Sequence, residues 1–259
     1  TEIDTFPVAR DNHEAKTGNW QGRIPPVTDI KAIVAWNSLT ISGLVRAYTV
    51  FLDASYLDLA IGAVNFILDN QWVEGRFQRL NYNGKAVVAA QSEDYALFIK
   101  SLLDFQACSP IEGKWLAQAQ RIQQEFDELL WSSELAGYYN SAPDKSSDLL
   151  IGERSYMDNA IPAANGVAIA NLVRLGLLTE NQDYLNKAER SLQSFSSIMQ
   201  ESPQACPSLF TALDWYLNGT LVRAPEATLQ QLISGYFPTT VYRLETDLPQ
   251  GAIGLVCKG

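Results

Sequence analysis

In the stretch QSEDYALF, Glu93 and Asp94 stand side by side where a polar segment gives way to the apolar run of Ile99, Leu102, Leu103 and Phe105. Two neighbouring carboxyl groups can give and take protons. Held on either side of a glycosidic bond, a pair about 5 Å apart supports hydrolysis with retention, and one about 6.5–9.5 Å apart supports inversion. The same residues also suit a helix start, with Ser92 as N-cap and two acids complementing the helix dipole for about 0.3–1 kcal/mol each. One acid suffices for that purpose, and two leave one over. Acids recur at matching places: Asp29 to Asp94 is 65 residues, and Asp94 to Asp158 is 64. Beside them stand amides and aromatics that could line a sugar cleft, with ring C–H faces on aromatics and hydroxyls on amides. Trp36, Asn37, Tyr95, Asn159 and Asn165 are the candidates, and Asp29 and Lys31 join them. Core packing is the competing role for Trp36 and Tyr95. Asn37 and Asn165, by contrast, fall inside helical patterns, where a buried amide needs polar partners.

Other chemistries are excluded by what the chain lacks. His13 is the single histidine, so paired-histidine acid–base work, the histidine route to epimerisation and a Ser-His-Asp triad have no support. Cys108, Cys206 and Cys257 are far apart and form no CxxC or metal-ligand spacing. With no Gly-rich phosphate loop or nucleotide fingerprint either, no cofactor and no metal are expected. Nineteen Lys and Arg against 29 acids give a net charge of −10 and a pI of about 4.6, the opposite of a nucleic-acid surface. No apolar run reaches the ~20 residues of a membrane span, and TEIDTFPVARDN does not read as a signal peptide. The expectation is a soluble, cytoplasmic protein in a reducing compartment, bound to neither nucleic acid nor membrane.

The elements that must position these residues are helices. Trp115, Leu116, Ala119, Ile122, Phe126, Leu129 and Leu130 step along one face at three- and four-residue intervals, as do Leu57, Ala60, Val64 and Ile67. Periodicity places helices near 29–52, 55–73, 93–108, 114–131, 161–177, 182–200, 206–218 and 225–235. Ser55 with Asp58 reads as a capping box for the second. Tyr56-Leu57…Ala60, Trp115-Leu116…Ala119 and Tyr184-Leu185…Ala188 repeat one motif, each at the start of the second helix of a pair. Asp29, Glu93-Asp94 and Asp158 then open the first helices, which run parallel and gather their N-terminal ends on one face. The long loops GRFQRLNYNGKAVVAA and AGYYNSAPDKSSDLLIGERSYM lie over that face, the first as a hairpin about Asn83-Gly84. Short strands are expected near 221–223, 241–243 and 253–256.

Several motifs in order resemble a known family. Arg23-Ile24-Pro25, Asp29-Ile30-Lys31 and Ala35-Trp36-Asn37-Ser38-Leu39 resemble R-x-P…D-D-K…W-N-G-L. Ser92-Glu93-Asp94-Tyr95-Ala96 resembles L-E-D-Y-A, and Asp158-Asn159-Ala160-Ile161-Pro162-Ala163-Ala164-Asn165-Gly166 resembles D-x-A-x-P-S-G-N-S. Together they resemble the C-terminal region of the thioredoxin-domain-containing proteins related to spermatogenesis-associated protein 20. The resemblance implies a mainly α fold of helical hairpins, of (α/α)6-toroid type, similar to six-hairpin glycosidases and N-acylglucosamine 2-epimerases. Ile30, Ser38 and Ala163-Ala164 depart from the pattern. About eight helices fall short of a toroid's twelve, so the expected architecture is incomplete: an irregular segment over 1–28, a hairpin domain over 29–218 and a small α/β appendage over 219–259. Its open face calls for a cover, either a second copy of the chain or a missing N-terminal domain. The functional expectation is a carbohydrate-like ligand bound, and processed by acid–base chemistry, by Glu93, Asp94 and Asp158. The competing expectation is a non-catalytic scaffold that docks a thioredoxin-like or other partner domain.

Overall fold

A computed structural model describes residues 29–109, 113–142 and 152–258. His13, the Arg23-Ile24-Pro25 motif and the irregular segment expected over 1–28 lie outside the described residues, as does part of the second long loop.

The apolar periodicity resolves into three helical hairpins and a further helix. They are α1 (Val34–Phe51) with α2 (Ala54–Asn70), α3 (Ser92–Cys108) with α4 (Lys114–Leu130), α5 (Ala164–Thr179) with α6 (Gln182–Glu201), then α7 (Pro207–Asn218). The first members form one row, α1 on α3, α3 on α5, α5 on α7, while α2, α4 and α6 each lie against their own partner. Composition explains the two layers. The outer helices α4 and α6 bury a single stripe, such as Trp115, Ala119, Ile122 and Phe126 on α4. The inner α5 is apolar nearly all round, and fifteen of its sixteen residues are buried. Stacked rings fill the space behind the row: Tyr95 on Phe126 and Phe126 on Tyr138.

Between hairpins the chain forms short strands. β1 (Ala32–Ile33), β2 (Trp72–Val73), β3 (Arg76–Tyr82) and β4 (Lys85–Ala89) make one antiparallel sheet, with β3 paired to the other three. Asn83 and Gly84, at φ 52° and 76°, form the tight turn from β3 to β4. β5 (Trp131–Ser132) pairs with β6 (Gly137–Tyr138). The tail is a β–α–β unit with an added strand: β7 (Thr220–Ala224), α8 (Glu226–Ile233), the parallel β8 (Thr240–Leu244) and the antiparallel β9 (Leu255–Lys258). Leu221 and Val241 join the same core as the helices.

Four expected helix starts move, that of α5 from near 161 to Ala164. The first helix begins at Val34 and not near Asp29, because Ala32 and Ile33 pair with Asn81 and Leu80 as a strand. Asp53, whose carboxylate accepts from Ser55 N, caps α2 in place of Ser55. Gln91 is the N-cap of α3, with Asp94 completing a capping box, and Ser92 is the first helical residue. In the exposed middle of α1 and α2, a methyl group added at Gly43 or Gly62 would meet nothing within 4 Å. Gly43→Ala and Gly62→Ala should each raise stability by about 0.5–1 kcal/mol, read as a higher urea midpoint at unchanged slope.

Candidate functional site

Two of the three acids in the 64-residue repeat, Asp94 and Asp158, are wired across helices. Asp94, fully buried on α3, accepts from Ala35 N at the start of α1 at 3.2 Å, from Gln91 N at 3.0 Å and from Arg79 Nη1 at 2.9 Å. Burial pushes its carboxyl up to about 6, against the pull of Arg79 and the amides of Gln91 and Ala35. Asp158 does the corresponding work further along. It accepts from Ala163 N before α5 at 2.6 Å, and from Ser208 N and Ser208 Oγ at the start of α7, both at 2.6 Å. Two acids expected to face a ligand thus hold the starts of neighbouring inner helices. The helices they hold have no cap of their own, since Ile33, Ala163 and Cys206 make no side-chain capping bond.

The other expected residues divide in the same way. Tyr95 is buried, and its hydroxyl donates to Glu125 Oε1 at 2.6 Å. Asn165 is buried and satisfied: Oδ1 accepts from Tyr138 N at 2.7 Å, and Nδ2 donates to Tyr138 O and Ser155 O. Asn37 Nδ2 donates one turn back to Ile33 O at 2.8 Å. Asp29 and Lys31 form a surface ion pair of 3.0 Å with both side chains exposed, which contributes little. Trp36 is 59% exposed on α1, so it is not the core residue that the alternative reading made it.

Glu93 and Asn159 remain, and both line a cleft of about 430 Å³ at the N-terminal ends of α3 and α5. Glu93 is fixed on one side by Arg79, which also holds Asp94 and donates to Gln91 Oε1 at 3.2 Å. Glu153 and Ser155 come from the loop before α5, and Asn140 from the bend that follows β6. That loop is held by backbone pairing: Asn140 N donates to Glu153 O at 2.7 Å, Ser92 N donates to Asn140 O at 3.0 Å, and Ser155 N donates to Asn140 Oδ1 at 2.9 Å. The result is a polar cleft containing two carboxylates, Glu93 and Glu153, three hydroxyls and three amides on a fixed frame. Such a set can hydrogen-bond a polyhydroxylated ligand, and two carboxylates can divide acid and base roles.

Sequence reasoning missed Glu153, Asn140 and Ser155. The available signal was an acid in a long loop just before an inner helix, a loop already assigned to this face. Among the described residues no cluster of His, Cys, Asp and Glu is suited to hold a metal ion, and no helix is long and apolar enough to cross a membrane.

No family model matches the chain. Spermatogenesis-associated protein 20 of Rattus norvegicus is 32% identical over 215 residues, which is 79% of this chain and 26% of that protein. The Homo sapiens protein of the same name is 30% identical over 221 residues, 82% of this chain and 27% of its own length. The chain therefore spans about a quarter of the length of the curated relatives it matches. Among solved structures, a sugar epimerase from a ruminal bacterium matches 70% of this chain and 47% of its own at a TM-score of 0.54 and 19% identity. Cellobiose 2-epimerase from Bacillus thermoamylovorans matches 66% and 46% at 0.53 and 13%, and the GH76 α-mannanase of Bacteroides thetaiotaomicron matches 67% and 47% at 0.50 and 19%. At such identities these three likenesses establish the fold alone, the helical-hairpin toroid of six-hairpin glycosidase-like enzymes. By sequence, the chain is a homologue of the spermatogenesis-associated protein 20 proteins.

Proposed function

We propose that the cleft at the starts of α3 and α5 binds a carbohydrate-like ligand, and that Glu93 and Glu153 carry acid–base processing of it. The observation behind this reading is their presence in one polar cleft with Ser92, Asn140, Ser155 and Asn159. Asp94 and Asp158 support the cleft from below by fixing the helix ends around it, and Arg79 orients Glu93. The fold likeness to sugar epimerases and a mannanase agrees with the reading and supplies only analogy.

A thermal-shift screen of mono- and oligosaccharides tests it. A ligand present at ~100 times its dissociation constant adds about 2.7 kcal/mol, which for a chain of this size raises the midpoint by roughly 5–10 °C. Glu93→Gln and Glu153→Gln should keep the unliganded midpoint within about 2 °C and abolish the shift. A shift that both variants retain places the sugar elsewhere. A docking scaffold is the second reading, favoured by exposed Val50, Phe51 and Leu52 at the end of α1 and Leu59 and Phe66 on α2. No shift with any sugar leaves that reading standing.

A further inference from the structure

A second pocket, of about 270 Å³, lies between α3, α5 and α7. Its walls are largely apolar, with Val167, Ala170 and Trp215 among them, yet three charged side chains line it: Lys100, Arg174 and Asp158. Arg174 is only 6% exposed. Its Nη2 donates to Asp104 Oδ1 at 2.8 Å, and its guanidinium carbon lies 5.4 Å from the centre of the Trp215 ring. Its Nε is buried and has no partner among the described residues. A guanidinium carries five donors, and folded proteins rarely bury one of them unused.

Lys100, on α3, shares the same acid: Nζ is 2.6 Å from Asp104 Oδ2 and 3.2 Å from Ser42 Oγ. Burial would push the Asp104 carboxyl up, but Lys100 and Arg174 hold it at about 2, so it stays ionised. Among the described residues, Asp104 is the carboxylate that pairs with both cations. Asp158 lines the same pocket as a second carboxylate. Its oxygens are taken by Ala163 N, Ser208 N and Ser208 Oγ, between the N-terminal ends of α5 and α7, where the helix dipoles oppose its charge. A buried guanidinium with one unused N–H, beside a lysine in a small and mostly apolar pocket, suits a compact anion.

We propose that this pocket binds the oxyanion of a small molecule, a carboxylate or a phosphate, with Arg174 and Lys100 as its cationic partners and Trp215 beside its apolar part. The inference does not depend on the sugar cleft, and its variants leave Glu93 and Glu153 intact. The test is calorimetric titration of the full chain with inorganic phosphate and with glucuronate at low salt. Either anion is expected to bind, with an affinity that falls as salt rises. Lys100→Gln removes a cation, and Thr211→Trp at the exposed rim fills the pocket while leaving every ion pair in place. Each should weaken binding at least tenfold. Binding of phosphate alone assigns a phosphate ligand, and binding of glucuronate alone assigns a carboxylate. Failure of both anions to bind the unaltered chain, or full survival of binding in either variant, overturns the proposal.

Discussion

Asp94→Ala is expected to lower the unfolding midpoint by roughly 10–15 °C. The carboxylate is fully buried and accepts from two backbone amides and a guanidinium. Its removal leaves Ala35 N and Gln91 N without their acceptor and strips Arg79 of its buried partner. Breaking a buried, hydrogen-bonded charge pair in this way costs about 3–5 kcal/mol, and a chain of this size loses about 2–4 °C per kcal/mol. Asn restores little, because its amide group would point N–H toward N–H donors. Glu93→Ala provides the contrast. Its side chain is 25% exposed and reaches only Arg79 among the ion pairs of the described residues, so it should cost less than about 1 kcal/mol. Thermal unfolding followed by circular dichroism decides the matter. An Asp94→Ala variant with an unchanged midpoint would show that the carboxyl is not a staple and is free for chemistry.

Gly166→Ala should cost about 3 kcal/mol, in spite of alanine's better helix propensity. A methyl group at this position on α5 would stand 2.5 Å from Ser208 Cβ and 2.6 Å from its backbone carbonyl carbon. Backbone cannot swing aside as a side-chain tip can, so α5 and α7 must separate. Overpacking of this kind costs about 1–3 kcal/mol. The separation also stretches the two 2.6 Å bonds that Ser208 makes to Asp158. Equilibrium urea unfolding measures the loss. Against the gain expected for Gly43→Ala, one chemical change has opposite signs at two helix positions. An equal, stabilising effect at both would refute the close packing of α5 on α7.

The helices were legible because each buries a face with a period near 3.6, and the β3–β4 turn because Asn83-Gly84 suits two residues at positive φ. The helix starts were harder to read. Capping rules look for a polar residue just before a helix, whereas α1, α5 and α7 follow Ile33, Ala163 and Cys206. The regular acids were real signals with a different cause: Asp94 serves Ala35, 59 positions away, and Asp158 serves Ser208, 50 away. Such partners are set by packing, which sequence spacing does not encode. Glu153 was hidden for the converse reason, since a loop residue has no periodicity to mark it. Trp36 shows the limit of composition, because a large aromatic in an apolar helix reads as core and here stands 59% exposed.

The cross-helix capping bears on what counts as a module. A repeat of about 64 residues invites division into interchangeable pieces, each a hairpin with its preceding loop. Excising any one of these units severs Asp94 from Ala35 or Asp158 from Ser208. A transplanted α1–α2 hairpin would carry a helix start with no acceptor for its amides, and a transplanted α3–α4 hairpin a charged acceptor with too few donors. The sequence repeats, but the units are not self-sufficient. Grafting or shuffling them requires moving each acid together with the neighbour it caps.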